Sequence, residues 1–273
     1  MQIETLKEKA NWVRAETLKL HQRAPGTRIA SSLSSVELLV VLYYSGLLHI
    51  DPTNPKSLVR DRVIASKGHG LISLYPILAD QGFFPVEALE KIGQKDSLLT
   101  IIPEPSIPGI ETINGSLGHG LGVACGMALA LKRQGGSQRV YAICGDGELN
   151  EGAVWEAVMF ASHHELNNLT LIVDDNKISM LGYQNDIINI QPLEAKFSAF
   201  GWTSCSVDGH HLGDIYSALK EMTCASTSAP SALIAGTQKG RGVPLLECDS
   251  MSHVKTLSFS DVDAVLGAMN ASR

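Results

Sequence analysis

No basic cluster stands out in this chain. Its Lys and Arg residues (22) are outnumbered by Asp and Glu (28), for a formal net charge of −6 over 273 residues. That balance argues against nucleic acid or an anionic membrane as a main partner. Long apolar runs are missing too. The most apolar stretch, Val36 to Ile50, is too short to span a bilayer and contains Glu37, so it reads as a buried helix. Charges spread through residues 2–23 (Glu4, Lys7, Glu8, Lys9, Arg14, Glu16, Lys19) leave no signal-peptide core. The five cysteines form no C-x-x-C pair, cannot all pair with one another, and no zinc-ligand pattern accompanies them. Reduced, mostly buried thiols in a cytoplasmic protein are the expectation. Repeats, low-complexity segments and a convincing linker are also lacking, so residues 1–273 are expected to form a single domain.

What is present concentrates at Gly145-Asp146-Gly147-Glu148-Leu149-Asn150-Glu151-Gly152 and at Asp174-Asp175-Asn176. Before the first lies a strand-length apolar run, Arg139 to Cys144; between the two lie a helical pattern (Val154, Val158, Met159 and Ala161 on one side) and a second strand, Leu169 to Val173. Two parallel strands joined by a helix put both strand ends at one edge of the sheet, where open α/β folds bind ligands. There Asp146 and Asn176 can meet as hard oxygen ligands. Mg²⁺ is commonly held by one or two protein oxygens together with substrate phosphate and water. Gly145 and Gly147 are expected to let the backbone turn tightly and approach a phosphate.

Elsewhere, helical spacing runs through residues 2–22. Ser34-Ser35 with Glu37 reads as a capping box opening a helix to about Tyr44. Val63 to Ala65 reads as a buried strand, Leu71 to Ala79 as a helix, and Pro85 as the start of another. Asp96 to Asn114, with Pro103, Pro105 and Pro108, reads as an irregular loop. Gly118 to Leu131 is a small-residue helix whose N-terminus offers N–H groups to an anion. It follows that loop and not a strand, and it lacks G-x-G-x-x-G spacing, which leaves a nicotinamide dehydrogenase a distant reading. Strands near Thr203–Val207 and Ala232–Ala235 flank a helix over about 214–222, and a last helix is expected over about 260–270. This alternation predicts an α/β fold: a doubly wound, mainly parallel sheet with helices on both faces.

Gly-Asp-Gly followed by Asn after about 30 residues resembles the diphosphate signature of thiamine-diphosphate enzymes, and Gly145 to Ala157 is similar to the N-terminal part of a transketolase. Four further segments match in order: Asp61-Arg62 to Lys67-Gly68-His69-Gly70; Gly115-Ser116-Leu117-Gly118-His119-Gly120; Val207-Asp208-Gly209-His210; and Thr237 to Lys239-Gly240-Arg241-Gly242-Val243. The resemblance covers about residues 10 to 255. It implies the diphosphate domain of the thiamine-diphosphate-binding fold, with thiamine diphosphate and Mg²⁺ (or Ca²⁺) as cofactors. By the resemblance, Asp146 and Asn176 are side-chain metal ligands and Ile178 contributes its carbonyl; Asp174 and Asp175 remain alternatives. Gly115, Ser116, Leu117, Gly147, Glu148 and Asn176 are implied to contact the cofactor. His69 is implied to touch its diphosphate, and His253 to lie near the reacting carbons. Glu151 and Glu156 match acidic residues of a dimer interface. The glutamate that activates the cofactor belongs to a pyrimidine-binding domain that nothing here matches. The implied protein is therefore the diphosphate half of a split enzyme, active only with a separate polypeptide carrying that glutamate, as an α2β2 heterotetramer.

Two positions depart from the pattern. Arg28 stands where the family has a substrate histidine, and Ile102 where it has a second histidine that contacts a donor hydroxyl. Arginine cannot act as a neutral base but binds carboxylate or phosphate well. The expectation is a two-carbon ketol or acyl transfer to an aldehyde from an unusual sugar or a 2-oxo acid. The alternatives are a deoxyxylulose-phosphate-synthase-like decarboxylating condensation and a noncatalytic regulatory subunit.

Overall fold

The structure is a computed structural model that describes residues 3–113, 115–180, 182–247 and 249–271. Asn114 and Cys248, which the sequence places in the irregular loop and among the thiols, lie outside the described residues. Helix α1 (Ile3–Arg23) leads to α2 (Ile29–Ser34) and α3 (Val36–Tyr44), followed by strand β1 (Arg62–Ala65) and α4 (Leu74–Asp80). The loop 93–119 then reaches α5 (Gly120–Arg133), β2 (Val140–Gly145), α6 (Gly152–His163) and β3 (Leu169–Asp175). The rest is α7 (Gln184–Ile187), α8 (Leu193–Ala199), β4 (Thr203–Asp208), α9 (Leu212–Cys224), β5 (Ser231–Gly236), α10 (Pro244–Glu247) and α11 (Phe259–Ala271).

Among the described residues the sheet has five strands in the order β1-β2-β3-β5-β4, every pair parallel. β2 and β3 are buried along their whole length, as a parallel sheet covered on both faces requires. Alternate residues of one strand feed different cores. Tyr141 and Ile143 join the cluster beneath α1, α3, α4 and α9. Val140, Ala142 and Cys144 join the one beneath α5, α6 and α8. Helices on both faces make the sheet doubly wound. β4 lies at the edge, and its Ser, Thr and Cys residues are largely half-exposed.

Local readings needed correction where tertiary contacts outweighed local pattern. Ser34 and Ser35 form no capping box: neither caps α3, and both hydroxyls turn to Asp174. Glu37 pairs instead with Arg14 (2.6 Å). The buried face of α6 is Val154, Ala157, Val158 and Ala161, spaced at helical turns, whereas Met159 is 52% exposed. The helix expected from Leu71 begins at Leu74, because a 3-10 turn occupies Gly68–Gly70. Helices α2 and α8 went unread; both are short, and α2 is serine-rich yet entirely buried. No helix of the described residues is long and apolar enough to cross a membrane.

Candidate functional site

Parallel strands end together, so the loops after β1, β2, β3 and β5 converge at the carboxyl edge of the sheet. They line a cavity of about 680 Å³ with Lys67 and His69 after β1, Asp146 and Gly147 after β2, Asn176 and Ile178 after β3, and Lys239 after β5. Arg28 and Ser31 from α2 and its approach, Ile101 and Ile102 from the long loop, and His253 from the segment before α11 complete the wall. Close approach demands glycine at two places. A Cβ on Gly70 would sit 2.7 Å from Ser31 Cβ, and one on Gly120 2.5 Å from Ser66 Cβ. Gly145 and Gly147 do not have positive φ. Their value is space: a Cβ at 145 would lie 3.4 Å from Lys67 Cδ, and one at 147 would lie 3.5 Å from Ser179 Cβ.

A fully buried ion pair underlies the floor. Lys67 Nζ pairs with Asp174, and donates to Ser35 Oγ (2.7 Å) and Ser31 O (3.2 Å). Asp174 also accepts from Ser34 Oγ (2.6 Å), Ser35 Oγ (3.0 Å) and Thr237 Oγ1. Burial by itself would raise its carboxyl, but Lys67 and these donors outweigh it and hold the group below the usual range. Asp174 is therefore committed to the scaffold. Asp175 is similarly engaged by Lys177 and Gln191. Neither lines the cavity, which favours Asp146 among the three carboxylates.

Asp146 is in the opposite condition. Among the described residues its oxygens accept only from backbone, Gly147 N (2.9 Å) and Lys177 N (2.6 Å). Burial, then the negative charges of Asp174 and Asp175, push its carboxyl up to about 7. Such a group is short of positive charge, and a hard cation would relieve it. Two more oxygens stand nearby in the chain: Asn176 Oδ1, which accepts from Ile178 N (3.2 Å), and Ile178 O, which accepts from Lys239 Nζ (2.6 Å). That ammonium already brings positive charge to one of the expected ligands. Burial lowers Lys239 to about 8, opposed by Asp146. Among the described residues no group of three or more His, Cys, Asp or Glu gathers, so any metal here would rest on this mixed carboxylate, amide and carbonyl set. The donors fit Mg²⁺ or Ca²⁺.

His69 and His253 meet edge to face, with ring centroids 5.5 Å apart, and Ser31 Oγ lies 3.3 Å from His253 Nδ1. Burial first, then the surrounding Lys67, Lys239 and Arg28 charges, lower His69 to about 4. Burial, Lys239 and His69 lower His253 to about 3. Both are neutral imidazoles at pH 7, free to exchange hydrogen bonds without adding charge. Gly115 and Leu117 line the cavity. Ser116 does not, and its hydroxyl lies 3.5 Å from His119 Nδ1. Glu148 faces the wall, but its carboxylate is spent on Ser66 Oγ, Gly118 N (2.8 Å) and Gly145 N (3.3 Å). The anion at the approach to α5 is thus the protein's own. Glu151 lies at the cavity margin, and Glu156 is exposed on α6.

Ser31, Lys67 and Lys239 were missed as site residues. The two lysines sit beside glycine inside the quoted Lys-Gly segments, which was the available signal. The Val207-Asp-Gly-His210 segment acts from behind. His210 Nδ1–H donates to Glu37 Oε2 (3.1 Å), and His210 Nε2 accepts from Gln238 N (2.8 Å), fastening the loop that carries Lys239.

The fold and site define an open α/β fold with a cavity at the carboxyl edge of a doubly wound sheet, lined by two lysines and a buried, charge-poor carboxylate. Residues 6–270 match the family described as the transketolase, thiamine diphosphate binding domain. The chain is 39% identical over 249 residues to the 6-deoxy-6-sulfo-D-fructose transketolase subunit SqwG of Clostridium sp. (strain MSTE9), covering 91% of this chain and 90% of that one. It is 35% identical to an apulose-4-phosphate transketolase subunit of Actinobacillus succinogenes, covering 96% and 94% of the two chains. A crystal structure of transketolase from Campylobacter jejuni superposes with a TM-score of 0.92 at 32% identity, over 99% of this chain and 43% of that one. The chain belongs to the transketolase family of thiamine-diphosphate-dependent transferases and corresponds to its thiamine diphosphate-binding domain. It spans less than half the length of the transketolase of known structure.

Proposed function

We propose that this chain binds thiamine diphosphate through Mg²⁺ (or Ca²⁺) and, with a pyrimidine-binding partner subunit, transfers a two-carbon ketol or acyl unit to an aldehyde acceptor. The observation that carries this reading is Asp146: a buried carboxylate short of positive charge at the joined ends of β2 and β3, in a cavity it shares with Ile178 O and Asn176. Asp146, Asn176 and Ile178 O would hold the metal; the N–H of Gly147, with His69 and Lys239, would hold the diphosphate. Gly115 and Leu117 would lie along the cofactor. When bound, thiamine diphosphate supplies a carbon that acts as a carbanion equivalent. The chain's own residues would orient the donor and position protons: His69 and His253, kept neutral, each offer one N–H donor and one acceptor nitrogen to a bound group, and either ring would become a cation on taking up a proton.

The two relatives named above are called subunits, which supports a partner supplying the activating glutamate. Glu151 and Glu156 would face a second copy, giving α2β2. The free thiols Cys125, Cys144, Cys205 and Cys224 fit a cytoplasmic setting. The whole of residues 1–273 would act as one diphosphate-binding unit.

Trp155, whose indole donates to Leu149 O (2.8 Å) just beyond the Gly-Asp-Gly turn, is a built-in reporter. Thiamine diphosphate added to the chain and its partner should quench this tryptophan only when Mg²⁺ or Ca²⁺ is present. Asp146→Asn should weaken that response roughly 100-fold. Metal-independent binding, or an unchanged Asp146→Asn, would sink the reading.

A further inference from the structure

The positive charges around the cavity have different commitments. Lys67 is neutralised by Asp174, and Lys239 rests on Ile178 O beside Asp146. Arg28 is half-buried in the same wall, and its guanidinium has no hydrogen-bond or ion-pair partner among the described residues. The backbone beneath it is fixed: Arg28 O accepts from Ser32 N (3.2 Å) and Ser32 Oγ (3.1 Å), and Thr27 is held by His21 (2.8 Å). A fixed base and an uncommitted planar fork suit the two oxygens of a carboxylate.

Ile101 and Ile102 share that part of the wall. Their segment is pinned by Thr100 Oγ1 on Ile102 O and by Tyr75 O–H on Thr100 O (2.8 Å). Ile101 also lies against the approach to Arg28, since a Cβ on Gly26 would sit 3.8 Å from its Cδ1. Ser31, the nearest small hydroxyl along α2, is already paired with His253. Isoleucine offers no partner to a hydroxyl, and a hydroxyl buried there gives up its bonds to water without replacement. A polyhydroxylated donor would be penalised at this end. A compact molecule with one carboxylate and an apolar tail would not.

We propose that Arg28, Ile101 and Ile102 form a donor subsite for a small 2-oxo acid, its carboxylate on the Arg28 guanidinium and its apolar end against the two isoleucines. This rests on the cofactor reading above. Arg28 is then a binding residue that selects the donor, and no proton transfer is assigned to it.

Oxamate, a 2-oxo acid isostere with an unreactive carbonyl, reads the subsite without turnover. It would be titrated calorimetrically into the partner-bound chain loaded with thiamine diphosphate and Mg²⁺, beside xylulose 5-phosphate, for wild type and Arg28→Gln. The wild type should bind oxamate, Arg28→Gln should bind it at least about 10-fold more weakly, and thiamine diphosphate affinity should stay the same. Ile102→Ser should tighten xylulose 5-phosphate. Oxamate that fails to bind a fully cofactor-loaded wild type, or that binds Arg28→Gln equally well, overturns the subsite. So does an Arg28→Gln that loses only xylulose 5-phosphate, because Arg28 would then serve a sugar phosphate. Failure of thiamine diphosphate itself to bind is a separate readout; it removes the cofactor reading and this inference together.

Discussion

The two ends of the cavity are built on different terms. At the diphosphate end, side chains spring from the last residues of buried parallel strands, and the supporting polar groups are paired: Lys67 with Asp174, Asp174 with three hydroxyls, His210 with Glu37 and Gln238. At the donor end, Arg28 has no partner among the described residues, and Ile101 and Ile102 ride on a loop free of regular structure. The first end tolerates little change without loss of the fold. The second can change with little cost, which is where variation in donor can be accommodated while the cofactor is still held. The two relatives with different sugars in their names are consistent with such a division.

The largest effect should come from breaking the buried pair. Lys67→Met leaves Asp174 charged, enclosed and without its counter-ion, and should cost about 3–5 kcal/mol in urea unfolding. Adding Asp174→Asn to it should restore part of that loss. If Lys67→Met unfolds like wild type, the diphosphate end is not the rigid half, and the comparison fails.

A middle-sized effect tests how the donor end is tied down. His21 donates from Nδ1 to Thr27 Oγ1 (2.8 Å) and accepts at Nε2 from Leu257 N (3.1 Å), an arrangement open only to the neutral ring. Burial lowers its pKa from the ordinary 6.5 to about 4. Between those values the unfolded chain takes up a proton that the folded chain refuses. This contribution is therefore complete above about pH 6.5 and lost as pH falls to about 4, by up to about 3 kcal/mol. His21→Gln should remove that part of the pH slope. Hydrogen exchange at the Leu257 amide should accelerate on acidification in wild type; an amide equally protected at both pH values would count against this fastening.

The smallest effect sharpens the contrast from the other side. Ile101 is 42% exposed, so Ile101→Ser should shift unfolding stability by no more than about 0.5 kcal/mol. Xylulose 5-phosphate should nevertheless bind it more tightly, as for Ile102→Ser. A large stability loss would mean that the loop belongs to the core.

The legible parts were those whose cause is local. Continuous apolar runs marked β1, β2, β3 and β5, and Gly-Asp-Gly at the end of one run pointed to Asp146. His69 and His253, 184 residues apart in the chain, came from resemblance, and the structure sets their rings together. Asp174 looked like a rival ligand because its partner, Lys67, is 107 positions away and no local pattern joins them. Ser34 imitated a helix cap for the same reason: its real acceptor is the Asp174 carboxylate across the fold. Glu148 lines the cavity, but no local pattern shows that Gly118 N and Gly145 N use its oxygens.

The bond from Lys239 to Ile178 O bears on how the site would load. A divalent ion reaching that carbonyl would meet an ammonium already in residence, so loading would be an exchange of one cation for another. The β5 loop would loosen its hold on the β3 loop in the same event, leaving the lysine free to turn toward the newly arrived phosphate. The proteins with and without the ion would then differ in which cation shields the carbonyl.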